Sequence, residues 1–261
     1  MVMPSKRPAI AKGVHLPALT KARPAARDRV AFLGEYSHHR NSAESCADDL
    51  LILALFWPIS STAWDSLIGS WTALCAMRDN VAVAQESWVV EAAPRLAAPI
   101  HDPTAQESTL ATLIGRTQIR CSVAVVHGER KPALTQARSA YPMFTSCITA
   151  YNAFLKGSPA HQPCNTIVFR SRDPNADRVL SDTFDRARQQ IADVEWLKHV
   201  RLFTWDEPTR PLPLEVANLA THAVARRLLQ PTLVNPIWEA MTLKMVQFPL
   251  GLAPRKGIKG R

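Results

Sequence analysis

Leu50-Leu51-Ile52-Leu53-Ala54-Leu55-Phe56-Trp57-Pro58-Ile59 is the longest apolar run in the 261-residue chain. It is too short to span a bilayer. A continuous apolar run closed by a proline reads as a buried strand, Leu50 to Trp57, stopped at Pro58. Upstream, Val30-Ala31-Phe32-Leu33 predicts a first strand, followed by a polar loop from Gly34 to Ser45 that carries His38, His39 and Arg40. Downstream, Ser60-Ser61-Thr62 offers a helix N-cap. Trp64, Leu67, Ile68, Trp71, Leu74 and Cys75 then recur at helical spacing, predicting a helix to about Arg78. Val81 to Ala84 reads as a short strand, and Gln85 to Pro103 has no clear period.

Further along, the pattern alternates. Helices are predicted over Thr104–Ile114, stopping at Gly115, and over a long segment through Pro142–Lys156, ending at Gly157. Further helices are expected at Asn175–Val194, Pro213–Leu229 and Pro236–Val246. Strands are predicted at Gln118–Val126, Thr166–Phe169 and Val200–Trp205. Strands alternating with long helices imply an α/β fold, a mixed or parallel sheet covered by helices.

Hydrophobic residues make up 47% and charged residues 20%, the balance of a globular chain long enough to bury its own core. The net charge of +9 is concentrated at the ends. Residues 1–29 hold seven Lys/Arg against Asp28 alone, and residues 244–261 hold five and no acid, so the ends carry +11 and the middle −2. The expected organisation is a basic flexible tail (1–29), one domain (30–246) and a basic C-terminal tail (247–261). The tails would supply salt-sensitive, sequence-blind contacts to phosphate, or be plain solvated ends. A basic folded face is not implied. The N-terminus lacks the apolar block of a secretory signal, and its prolines would interrupt a targeting helix.

The five cysteines, Cys46, Cys75, Cys121, Cys147 and Cys164, are far apart and form no C-x-x-C pair. They read as reduced, buried thiols of a cytoplasmic protein. His161-x-x-Cys164 has ligand-like spacing but no second pair to complete a zinc site. No serine-hydrolase elbow, Walker loop, dinucleotide fingerprint or HExxH motif is present.

The residues that could carry chemistry are few. Glu35 stands just beyond the predicted first strand, where α/β sheets place ligands. Asp48-Asp49 would face opposite sides of a strand. In Asp173-Pro174-Asn175-Ala176-Asp177, Asp173 or Asn175 suits an N-cap and Asp177 the first turn, with a metal site as the alternative. In the helix beginning near Leu214, Asn218, His222 and Arg226 fall on one face, and Glu215 joins them. That polar stripe is either an open site or simply the solvent side of the helix.

Two of these segments carry a resemblance. Phe32-Leu33-Gly34-Glu35-Tyr36-Ser37 and Leu214-Glu215-Val216-Ala217-Asn218-Leu219 are similar to two motifs of a bacterial family known as domain of unknown function 3800. Its first strand ends in Asp-Glu-Ser-Gly, and its last helix bears a Leu-Gln-Leu-Ala-Asp-Leu type sequence. The resemblance covers roughly residues 30–240 and implies an RNase-H-like mixed sheet flanked by helices. It also implies that Gly34 and Asn218 stand where the family has aspartates, and Arg170 and Ser171 where a further acid is expected. A two-metal site needs several hard anionic oxygens. Gly supplies no ligand, Asn a neutral one and Arg the wrong sign.

The expectation is therefore a cytoplasmic RNase-H-like protein whose metal site is degenerate. It would need no cofactor and would act by binding, with nucleic acid met through the basic tails. One alternative is a nuclease or phosphodiesterase using Mg²⁺ or Mn²⁺, with Glu35, Asp173 and Glu215 as metal ligands and Asn218 beside them. Another is a protein-interaction module with Trp64, Trp71 and Trp88 in an interface rather than in the core. No membrane partner is expected.

Overall fold

The computed structural model describes residues 29–38, 50–79, 103–127, 137–158, 160–191, 195–206 and 211–247. The predicted strand Val81–Ala84, the segment 85–102, both tails, Asp48-Asp49 and Trp88 lie outside the described residues. The apolar run forms β2 (Leu50–Pro58), and every residue in it is buried. It lies between β1 (Val30–His38) and β3 (Ile119–His127), antiparallel to both. On the far side of β1, β4 (Thr166–Arg170) and β5 (Arg201–Trp205) add in parallel. The short β6 (Met245–Gln247) pairs in parallel with β3 at the other edge. The six strands run in the order β5-β4-β1-β2-β3-β6.

Six helices cover the two faces: α1 (Ala63–Asp79), α2 (Pro103–Arg116), α3 (Ala137–Gly157), α4 (Pro174–Gln190), α5 (Leu212–Leu229) and α6 (Pro236–Thr242). The period of two along β2 divides its side chains between them. Leu50, Ile52, Ala54 and Phe56 pack with α1, α2, α5 and α6. Leu51, Leu53, Leu55 and Trp57 pack with α3, α4 and a 3₁₀ turn at Glu195–His199. Burial on both faces is why the strand shows no polar alternation.

Three boundaries differ from the sequence reading. Strand β1 continues through the expected polar loop as far as His38, because Gly34 to His38 pair with Ala54 to Leu50 of β2. Helix α4 ends at Gln190 instead of Val194, since Ile191 adopts φ −93°, ψ 46°. The last helix ends at Thr242, and Met245–Gln247 forms a strand rather than another turn. The Lys244 ammonium pins that change of direction by donating to the carbonyls of Gly115 (2.8 Å) and Thr117 (2.9 Å). The Lys244 carbonyl in turn accepts the Cys121 N–H at 3.0 Å.

Helix α5 lies directly over β1, and Gly34 is what permits it. A Cβ at residue 34 would overlap the Ala217 carbonyl oxygen and lie 2.8 Å from the Asn218 nitrogen. The glycine is required here by close approach, not by a left-handed backbone. Among the described residues, no helix is long and apolar enough to cross a membrane.

Candidate functional site

The parallel pairing of β1 with β4 ends at Leu33 and Phe169. Beyond that point a cavity of about 380 Å³ opens at the C-terminal ends of the two strands. This is the crevice in which open α/β sheets bind ligands. Three segments build it: Glu35 to Ser37 from β1, Phe169 to Arg172 from the end of β4, and Asn218 with His222 from α5.

Period-two alternation sends neighbouring residues of β1 to opposite sides. Gly34 and Tyr36 face α5, where the Tyr36 ring meets His222 edge-on at 4.7 Å. Loss of solvent around His222 lowers its imidazole pKa, and the nearby Glu215 carboxylate opposes that shift. Glu35 faces the other way, and its side chain is only 8% exposed. Its carboxylate forms an ion pair with the Arg172 guanidinium. The backbone N–H of Glu35, past the end of the β4 pairing, donates to the Asn218 Oδ1 at 3.1 Å. The Asn218 Nδ2 is buried without a hydrogen-bond partner.

The loop after β4 is fixed by the start of α4. The Asp177 carboxylate accepts the Ser171 hydroxyl at 2.6 Å and the Arg172 N–H at 3.1 Å. These two bonds set the direction in which Arg172 leaves the strand. Asp173 is the α4 N-cap, accepting the N–H groups of Asn175 (3.0 Å) and Ala176 (2.9 Å). The capping alternative for this acid is the one realised.

The candidate acids are thus not assembled. Glu35 lines the cavity, while Asp173 caps a helix and Glu215 is buried at 5% exposure outside the lining. Among the described residues, no group of three or more His, Cys, Asp and Glu side chains is placed to hold a metal. The cavity presents one carboxylate, already paired, with two guanidiniums and a neutral amide. That donor set does not fit a two-cation centre. Position 34 is closed to an acid as well, because its side chain would enter the α5 backbone and not the cavity.

The polar stripe of α5 divides. Asn218 and His222 reach the cavity, whereas Arg226 lies beyond it, with its Nη2 3.5 Å from the Val234 carbonyl. Of the tryptophans, Trp71 is buried and Trp64 is half-buried in the core; both belong there and not in an exposed aromatic patch. Cys121, Cys147 and Cys164 are unpaired and buried. Burial pushes the Cys147 thiol up to about 11 and Cys164 to about 12, so neither is a nucleophile at neutral pH. His161 packs edge-on to Phe154 at 5.2 Å, and nothing joins it to Cys164 as a metal site.

Arg172 is the cavity residue that sequence reasoning passed over. Its signal was position alone: the first basic residue after β4, next to the acid that caps the following helix. No family model matches the chain, and no curated protein matches it at a significant level.

Proposed function

We propose that this chain is an RNase-H-like domain, of the kind found in the domain of unknown function 3800 family, whose metal centre has been replaced by a polar binding site. Two features support the fold. An antiparallel β1-β2-β3 meander is extended on the free side of β1 by parallel β4 and β5, and the helix after β5 crosses back over β1. The observation that carries the functional reading is the Arg172–Glu35 ion pair. In a metal-dependent nuclease, cations neutralise the acids at this place. Here a guanidinium does so permanently, and Asn218 completes the site with a neutral amide.

Such a protein acts by binding. Arg170 and Arg172 at the cavity and the clustered charge at the chain ends suit a polyanion, and nucleic acid is the partner proposed. The unpaired buried thiols suit a reducing, cytoplasmic setting.

The test uses the full chain. Calorimetric titration with Mg²⁺ and Mn²⁺ is expected to give no binding heat, and Mn²⁺ no rise in melting temperature. Binding to single- and double-stranded nucleic acid is expected to weaken steeply with salt, and to fall sharply when residues 1–28 and 250–261 are removed. A Mn²⁺-dependent rise in melting temperature, or metal-dependent cleavage, would overturn this reading in favour of a nuclease.

A further inference from the structure

A second and larger cavity, of about 850 Å³, lies at the opposite end of β1. It is bounded by the first residues of β1, the turn after β2, the first turn of α1, the start of β3 and the end of α3. Among the described residues, its lining contains two guanidiniums, Arg29 and Arg120, one imidazole, His161, and no Asp or Glu. Among the described residues neither arginine has an acidic partner.

One of the two cations is anchored. The Arg29 Nη1 donates to the Gln162 carbonyl at 3.0 Å, which orients the guanidinium. Arg120 sits on β3 opposite Trp57, with only a long 3.4 Å bond from its Nη1 to the Ile119 carbonyl. The His161 Nε2 is buried without a partner. Desolvation, reinforced by Arg29, lowers the His161 pKa, so at neutral pH the ring offers a hydrogen-bonding atom rather than a charge.

Two aromatic rings, Trp64 and Phe154, also line the cavity, and both are preset. The Trp64 indole N–H donates to the Val30 carbonyl at 2.8 Å, and its ring meets Phe32 edge-on at 5.1 Å. Phe154 is braced by Trp57 on one side and His161 on the other. Ordered rings beside two guanidiniums match a ligand with a flat ring at one end and an anion at the other. The volume lies within the range of small-molecule sites and far exceeds what a bare phosphate fills.

We propose that this cavity is a binding site for a mononucleotide-sized ligand, its phosphate held by Arg29 and Arg120 and its ring placed against Trp64 and Phe154. The inference is independent of the role of the Glu35 cavity, which lies at the other end of the strand.

The experiment is calorimetric titration of the full chain with AMP, UMP, adenosine and inorganic phosphate. At least one nucleotide is expected to bind, with adenosine and phosphate each at least tenfold weaker. Arg29→Gln and Arg120→Gln should each weaken the nucleotide about tenfold, the worth of one charge-assisted hydrogen bond. Phe154→Leu should weaken the nucleotide and leave phosphate unchanged. Arg186→Gln, which removes an exposed charge on α4, should change nothing. Melting temperatures near wild type would establish that the variants are folded. Three results would overturn the proposal: no nucleotide binding at millimolar concentration, phosphate binding as tightly as nucleotide, or loss of binding in Arg172→Met but not in Arg29→Gln.

Discussion

The side-chain oxygen of Asn218 accepts the backbone N–H of Glu35 at 3.1 Å, joining residues 183 positions apart. The amide supplies the hydrogen bond that β4 no longer gives to β1. Asn218→Leu removes the acceptor and is expected to cost about 1–3 kcal/mol, the penalty of a buried donor left unpaired. Asn218→Asp keeps an acceptor in place and should cost clearly less. Urea denaturation of the two variants measures the difference, and equal losses would show that the bond contributes nothing.

Gly34 gives a second prediction. Adding one methyl group at this position forces α5 away from β1, so Gly34→Ala should destabilise by about 2–4 kcal/mol, at or above the usual range for overpacking. Gly69 and Gly115 have open space at the same place. Alanine at either should leave stability within about 1 kcal/mol of wild type or raise it slightly. A Gly34→Ala protein that melts like the wild type would mean that the helix rides higher on the strand.

The Glu35–Arg172 pair should behave as a partly buried one. The carboxylate is 8% exposed and the guanidinium side chain 33%. Arg172→Met strands the acid and is expected to cost about 2 kcal/mol, less than a fully buried pair because solvent screens the arginine. The double variant Glu35→Gln/Arg172→Met should recover most of that loss. A double-mutant cycle measures the coupling, and zero coupling would remove the pair from the account of the site.

Two histidines contribute to the dependence on pH. Desolvation lowers the folded-state pKa of both His161 and His222 below the ordinary 6.5. The folded state therefore resists protonation that the unfolded chain accepts. Their contribution is complete above pH 6.5 and is lost as pH falls through the depressed folded-state values. The melting temperature should decline as pH drops below 6.5, and His161→Gln/His222→Gln should flatten that decline. An unchanged profile in the double variant would assign the acid sensitivity to other groups.

The sheet was legible because its evidence is local. The run from Leu50 to Trp57 announces a strand covered on both faces, and Pro58 marks its end. Proline, glycine and polar punctuation also placed α1, α2, α3 and α5 within a few residues. Strand β6 was not legible. Met245 to Gln247 follows a helix without a turn signal, and it is a strand only because β3 has a free edge beside it. At the site, Glu35 and Asn218 were found, and their meeting was expected only through the resemblance. The partner of Glu35 was not found, because Arg172 reaches it from the far side of the β1–β4 junction and nothing near either residue signals the pairing. The close approach that Gly34 permits was not legible for a related reason. Its missing side chain points at a helix backbone, and sequence records the absence of a Cβ but not what occupies its space.

The order of the strands has a consequence for synthesis. Strands β1, β2 and β3 leave the ribosome first and can pair as a meander, but one edge of β1 finds its partner only when β4 has emerged, after α3. Until then the nascent sheet shows open edges at β1 and β3, and α1, α2 and α3 cover its two apolar faces only in part, a template for pairing with other chains. Ribosome-bound chains that end before Thr166 should therefore engage chaperones or aggregate, and release should coincide with the arrival of β4.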